Sequence, residues 1–121
     1  DNRKGFFLMT ESGKIDWACH ANDAAASIHD VLEMSNAVQA AVDFYNAHPN
    51  ETLILVTADH ETGGLTLLDG DEQTGRITGI YVSDDHTPVM LPVFAYGPGA
   101  DRFCGTYLNT EIARRIRSLT E

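Results

Sequence analysis

The apolar positions divide the chain into short blocks and one long periodic stretch. Residues 5–10 (GFFLMT) form a compact apolar run, the pattern of a buried strand. Residues 11–22 are polar and carry Gly13, so they read as a functional loop. From residue 24 to about 47, Ile28, Val31, Leu32, Ala37, Val38, Ala41, Val42 and Tyr45 recur at helical spacing. Asn22 or Asp23 can cap that helix, and His48-Pro49-Asn50 ends it. Residues 52–56 (TLILV) are apolar and β-branched, a second strand. Strand, long helix and strand predict a right-handed βαβ unit with parallel strands.

Beyond Gly63-Gly64, residues 65–68 read as a short strand and 69–75 (DGDEQTG) as an acidic, turn-rich excursion. Another strand is expected at 79–83, then a loop at 84–88 (DDHTP). Residues 89–96 (VMLPVFAY) read as a strand, with Pro92 arguing for an edge or a bulge. Asn109 or Thr110 caps a last helix to about Leu119. The expectation is an α/β fold: a single domain over residues 1–121, with a mainly parallel sheet flanked by helices as part of a three-layer α/β/α sandwich. No repeat or internal linker interrupts it.

This topology bears on chemistry. Glu11 follows the first strand and Asp59-His60 the second. Parallel strands would bring both to one sheet edge, where open α/β sheets bind ligands. Three clusters stand out. Asp16 and His20 are four residues apart, so one helical turn puts them on one side, and carboxylate plus imidazole suits Zn²⁺. Glu11 offers an oxygen, the ligand type Mg²⁺ prefers. Asp59-His60 sits before two glycines that permit a sharp turn, and His86 lies in D-D-H-T-P. His29, inside the long helix, and His48, at its end, read as structural.

Composition narrows the field. At 43% hydrophobic and 21% charged, the 121 residues suit a folded domain rather than a disordered one. A net charge of −10 argues against nucleic acid as a partner. No apolar run approaches the roughly 20 residues of a membrane span. Cys19 and Cys104 leave one disulfide open. The chain carries no signal-peptide pattern and opens at Asp1 just ahead of a strand, so it reads as a cut or processed piece of something longer.

The motifs resemble those of alkaline phosphatases. T-A-D-H-E-T-G-G is similar to a signature stretch of that family, and E-S-G-K-I-D-W-A-C-H-A-N-D resembles its E-G-x-x-I-D-x-x-x-H-x-N-D segment. D-D-H-T-P followed by P-V-F-A-Y-G-P-G-A resembles its H-T-x-x-x-V-P-V-x-A-Y-G-P-x-A tail. The three blocks keep the family's order and span about residues 6–116, while residues 69–80 match no family motif. The resemblance implies a phosphomonoesterase with two zinc ions and one magnesium. Asp16, His20 and His86 would hold the first zinc, Asp59 and His60 the second, and Glu11 the magnesium. Trp17 would lie near the phosphate. The family's nucleophilic serine, in a D-S-A segment, and its phosphate-clamping arginine have no counterpart in these motifs. The isolated chain is therefore expected to be inactive and to need the missing N-terminal part. A homo-oligomer is also expected. The family setting is periplasmic or secreted. The alternative is a non-catalytic zinc-binding or purely structural domain. Phosphodiesterases, sulfatases and cofactor-independent mutases share such Asp/His sites, but E-T-G-G and A-Y-G-P favour alkaline phosphatase.

Overall fold

The computed structural model describes residues 4–120. Helix α1 (Gly13–His20) occupies what the polar composition suggested was a loop. The helical signal was present but short: Ile15, Ala18 and Cys19 share one face, and the last two are buried. Asn22 turns the chain at φ 55°, a left-handed conformation that asparagine tolerates. Asp23 then caps α2 (Ala24–Ala47), its Oδ1 accepting from the Ala26 amide at 3.0 Å. Ser27, in the first turn of α2, is buried beside Cys19 with oxygen and sulfur 3.3 Å apart, and α1 packs on α2. Helix α2 ends at His48, where the following proline disfavours helical backbone.

The predicted parallel βαβ unit is not what forms. Strand β1 is confined to Ile54–Val56 and pairs antiparallel with β6 (Phe94–Tyr96), Ile54 opposite Tyr96 and Val56 opposite Phe94. Among the described residues, 6–10 join no ladder, and Phe6 to Met9 are exposed. An apolar run records that a segment can be buried; it does not record which strand lies beside it. Among the described residues all three strand pairings are antiparallel. The strand expected over 89–96 shrinks to its last three residues, because Pro88 and Pro92 carry no amide to donate to a ladder.

The acidic excursion is the tip of a hairpin. Strands β3 (Thr66–Asp71) and β4 (Arg76–Ile80) pair with a register shift at Leu68. A second, smaller ladder pairs β2 (Glu61–Thr62) antiparallel with β5 (His86–Thr87). This two-residue ladder positions the candidate site, since it sets Glu61 opposite Thr87 and Thr62 opposite His86. A short 3-10 helix (Ala100–Phe103) leads towards α3 (Thr110–Thr120). Arg115 ties α3 back, donating to the Arg102 and Cys104 carbonyls and covering the Tyr107 ring. The buried apolar side chains described are few: Ala18, Cys19 and Phe103. Cys19 and Cys104 are both free thiols. No helix described is long and apolar enough to cross a membrane.

Candidate metal centre

Asp16 and His20 lie one turn apart on α1, as their spacing requires, with His20 Nε2 3.4 Å from Asp16 Oδ1. Strand β5 carries His86 to the same point, its Nε2 3.7 Å from Asp16 Oδ1 and 3.2 Å from His20 Nε2. Three potential ligand atoms thus form a triangle. Its edges match the spacing of ligands around a tetrahedral zinc: bonds near 2.0–2.1 Å place neighbouring ligand atoms roughly 3.3 Å apart.

The surrounding hydrogen bonds orient these rings. His20 Nδ1 lies 2.6 Å from the Asp84 carbonyl oxygen, which only accepts. Nδ1 therefore carries a proton, and in the neutral ring Nε2 presents its lone pair to the triangle. Two imidazole Nε2 atoms and a carboxylate oxygen converge on one point, a donor set that suits a divalent cation. The Asp16 carboxyl is held below its ordinary value, first by the hydrogen bond from the Thr62 hydroxyl, and then by the three imidazoles of His20, His60 and His86; burial opposes them.

The second candidate pair is adjacent. His60 Nε2 lies 3.4 Å from Asp59 Oδ2, while the His60 amide donates to Asp59 Oδ1 at 3.1 Å. His60 stacks on His86 with ring centroids 3.5 Å apart, so the pair borders the triangle. Asp16, His60 and His86 also offer one ligand atom each within 4.8 Å of one another. Glu61 stabilises this corner from behind. Its carboxylate accepts from the Gly64 amide at 2.8 Å and from the Thr87 hydroxyl. Gly63, at φ +86°, is the turn that closes the motif, and a Cβ there would meet Tyr81 at 2.6 Å.

Five of the six sequence-predicted ligands therefore gather: Asp16, His20 and His86 in one set, Asp59 and His60 beside them. Glu11 stands apart. It is exposed before α1, its carboxylate lying over Gly13, and among the described residues no hydrogen bond or ion pair joins it to the others. Trp17 projects from α1 with 70% of its surface exposed. Sequence reasoning missed Thr62, which it gave no role, and Asp84, which it read as part of the 84–88 loop. The first acts on a partner 46 positions away, which no local pattern reveals. The second acts through its backbone, which no side-chain pattern reveals.

The profile of the family described as "Alkaline phosphatase" matches residues 1–79. Alkaline phosphatase H of Pseudomonas aeruginosa is 35% identical, over 97% of this chain and 28% of its own length. Alkaline phosphatase 4 of Bacillus subtilis is 28% identical, over 95% of this chain and 39% of its own length. A solved mutant of alkaline phosphatase from the Antarctic bacterium TAB5, with Mg bound in its M3 site, superposes with a TM-score of 0.86. It is 37% identical, over 95% of this chain and 36% of that one. The chain thus spans well under half the length of these relatives.

Proposed function

The chain belongs to the alkaline phosphatase family, and from that premise we propose that it forms the metal-holding part of a phosphomonoester hydrolase. Asp16, His20 and His86 would hold one zinc, and Asp59 and His60 a second. Glu11 would serve a magnesium site, a role in keeping with the magnesium in the TAB5 structure. The single observation that carries the reading is the triangle of Asp16 Oδ1, His20 Nε2 and His86 Nε2, with edges of 3.2, 3.4 and 3.7 Å. Three protein ligands leave one tetrahedral position open, the usual catalytic zinc arrangement.

Ions held by Asp16, His20 and His86 and by Asp59 and His60 would supply positive charge to stabilise a phosphoryl transfer. The chain's own residues do the positioning. The Asp84 carbonyl fixes the His20 ring, and the Asp85 carboxylate accepts the His86 amide at 2.8 Å, shaping the loop that delivers His86. Glu61 locks the Thr87 hydroxyl and the Gly64 amide, which holds β2 against β5. Trp17, on the same helix as Asp16 and His20, would present its indole N–H near a bound phosphate. The serine nucleophile and the phosphate-binding arginine would come from the rest of the protein, in a periplasmic or secreted setting. The isolated chain would hydrolyse phosphate esters slowly at best, lacking both the nucleophile and the group that orients the phosphate.

Zinc titration by calorimetry tests the assignment. His20→Ala and His86→Ala should each abolish the tighter of the zinc-binding events, whereas His29→Ala should leave it unchanged. A tighter event that survives both substitutions would overturn the ligand set. Hydrolysis of a chromogenic phosphate ester by the pure chain at about 1 per second or faster, the range of ordinary enzymes, would overturn the division of labour.

A further inference from the structure

Thr62 is one of the two buried polar residues described, with 5% of its surface exposed. Its hydroxyl sits 2.5 Å from Asp16 Oδ1 and 3.2 Å from His60 Nδ1. A hydroxyl has one proton to donate. Were that proton aimed at His60, the hydroxyl oxygen and the Asp16 carboxylate oxygen would face each other as two acceptors at 2.5 Å. The proton therefore belongs on the Asp16 side. The hydroxyl oxygen is then free to accept, and the only group that can donate to it from the imidazole is an Nδ1–H.

We propose that Thr62 is a positioning residue that fixes His60 as its Nδ1–H tautomer and couples the two ligand sets through one hydroxyl. The chain of donors runs from His60 Nδ1–H to Thr62 Oγ1, and from Thr62 O–H to Asp16 Oδ1. Its consequence is at the other side of the ring. With Nδ1 protonated, His60 Nε2 carries the lone pair, and it is Nε2 that faces Asp59 Oδ2 at 3.4 Å. The same hydroxyl holds Asp16 in register with His20 and His86. A single side chain thus prepares a ligand in each set before any ion arrives. Its place in β2, opposite His86 in the ladder, keeps it there. Hydrogen-bonded partners behind metal ligands act in this way, setting tautomer and ring direction, and their loss typically costs 10–100-fold in metal affinity.

The tautomer half of the proposal stands without any metal; the affinity half rests on the zinc reading above. The experiment separates them. Long-range ¹H–¹⁵N spectra of the histidine-labelled, metal-free chain at pH 8 report which nitrogen of His60 carries the proton, with His60→Gln used to assign the signal. The expected result is Nδ1–H in the wild type and in Thr62→Ser, and a mixed or Nε2–H population in Thr62→Val. Zinc calorimetry on the same proteins should then show both binding events weakened about 10–100-fold in Thr62→Val and largely restored in Thr62→Ser. An Nε2–H ring in the wild type overturns the proposal outright, whether or not Thr62→Val folds. So does a Thr62→Val protein that keeps both the tautomer and the zinc affinities. A wild type that shows the Nδ1–H ring but binds no zinc leaves the positioning role standing and removes the metal reading instead.

Discussion

Asp71 closes the tip of the β3–β4 hairpin with its own side chain. Its Oδ1 accepts from the Gln73 amide at 2.9 Å and the Thr74 amide at 3.2 Å, the local bonding that lets aspartate shape turns. These bonds favour the ionised form, and the carboxyl is held below its ordinary value, most by the Thr74 amide and next by Gln73. The sign follows. A folded value below the unfolded one means the support is fully present above the ordinary carboxylate value of 3.8 and is lost as pH falls through the lower, folded value. An acid titration followed at the Gln73 and Thr74 amide signals should have its midpoint below 3.8. Asp71→Asn should remove that step; a midpoint at or above the ordinary value would contradict the geometry. Individual residues were also where the sequence was most informative about the site. The four-residue spacing of Asp16 and His20 sufficed to place them on one helical side. Thr62 was hidden because its role depends on a partner 46 positions away, a distance no local pattern encodes.

At the scale of elements, helix α2 was fully legible, since its periodicity, its aspartate cap and its terminal proline all agree. Asp23→Ala removes the bond to the Ala26 amide and should cost about 0.5–2 kcal/mol, read as a lower melting temperature. The sheet was not legible. Strand partners are chosen by tertiary packing, and β1 meets β6 some forty residues on rather than the apolar run that precedes α2. That pairing depends on Gly97, which follows β6 at φ +113° and whose added Cβ would lie 2.2 Å from the Thr52 carbonyl oxygen. Gly105, at φ +96°, has open space around it. Gly97→Ala and Gly105→Ala both incur backbone strain of about 1 kcal/mol or more, but only Gly97→Ala adds a collision with backbone. Thermal melts should therefore rank Gly97→Ala as clearly the more destabilised. Equal melting temperatures would show that the β1–β6 junction is loose.

The whole molecule exposes much of what its sequence marks as buried. Phe6, Phe7, Leu8 and Met9 are between 72% and 77% exposed, and Leu32, Phe94, Tyr96 and Met90 are also open to solvent. Against this, the buried apolar side chains described are Ala18, Cys19 and Phe103. Exposed apolar surface on this scale suits an interface better than a finished exterior. The relatives' remaining length offers a natural cover, since the chain spans 28% to 39% of those compared by sequence. Studied alone, the chain has only copies of itself to cover that surface. Residues 6–10 also join no ladder among the described residues, and exposed strand-like edges recruit other strands. Self-association is the expected outcome, and light scattering at micromolar concentrations should give a mass of two or more copies. The net charge of −10 sharpens the prediction. Like charges oppose association, and salt at about 0.15 M shortens their reach to about 8 Å. Association driven by apolar surface should thus strengthen as salt rises, whereas association through ion pairs would weaken. Replacing Phe7 and Leu8 together with lysine should shift the chain towards monomer while the amide signals of α1, α2 and the β3–β4 hairpin stay in place. A wild-type chain that scatters as a monomer at high salt would mean that these side chains find cover within a single copy.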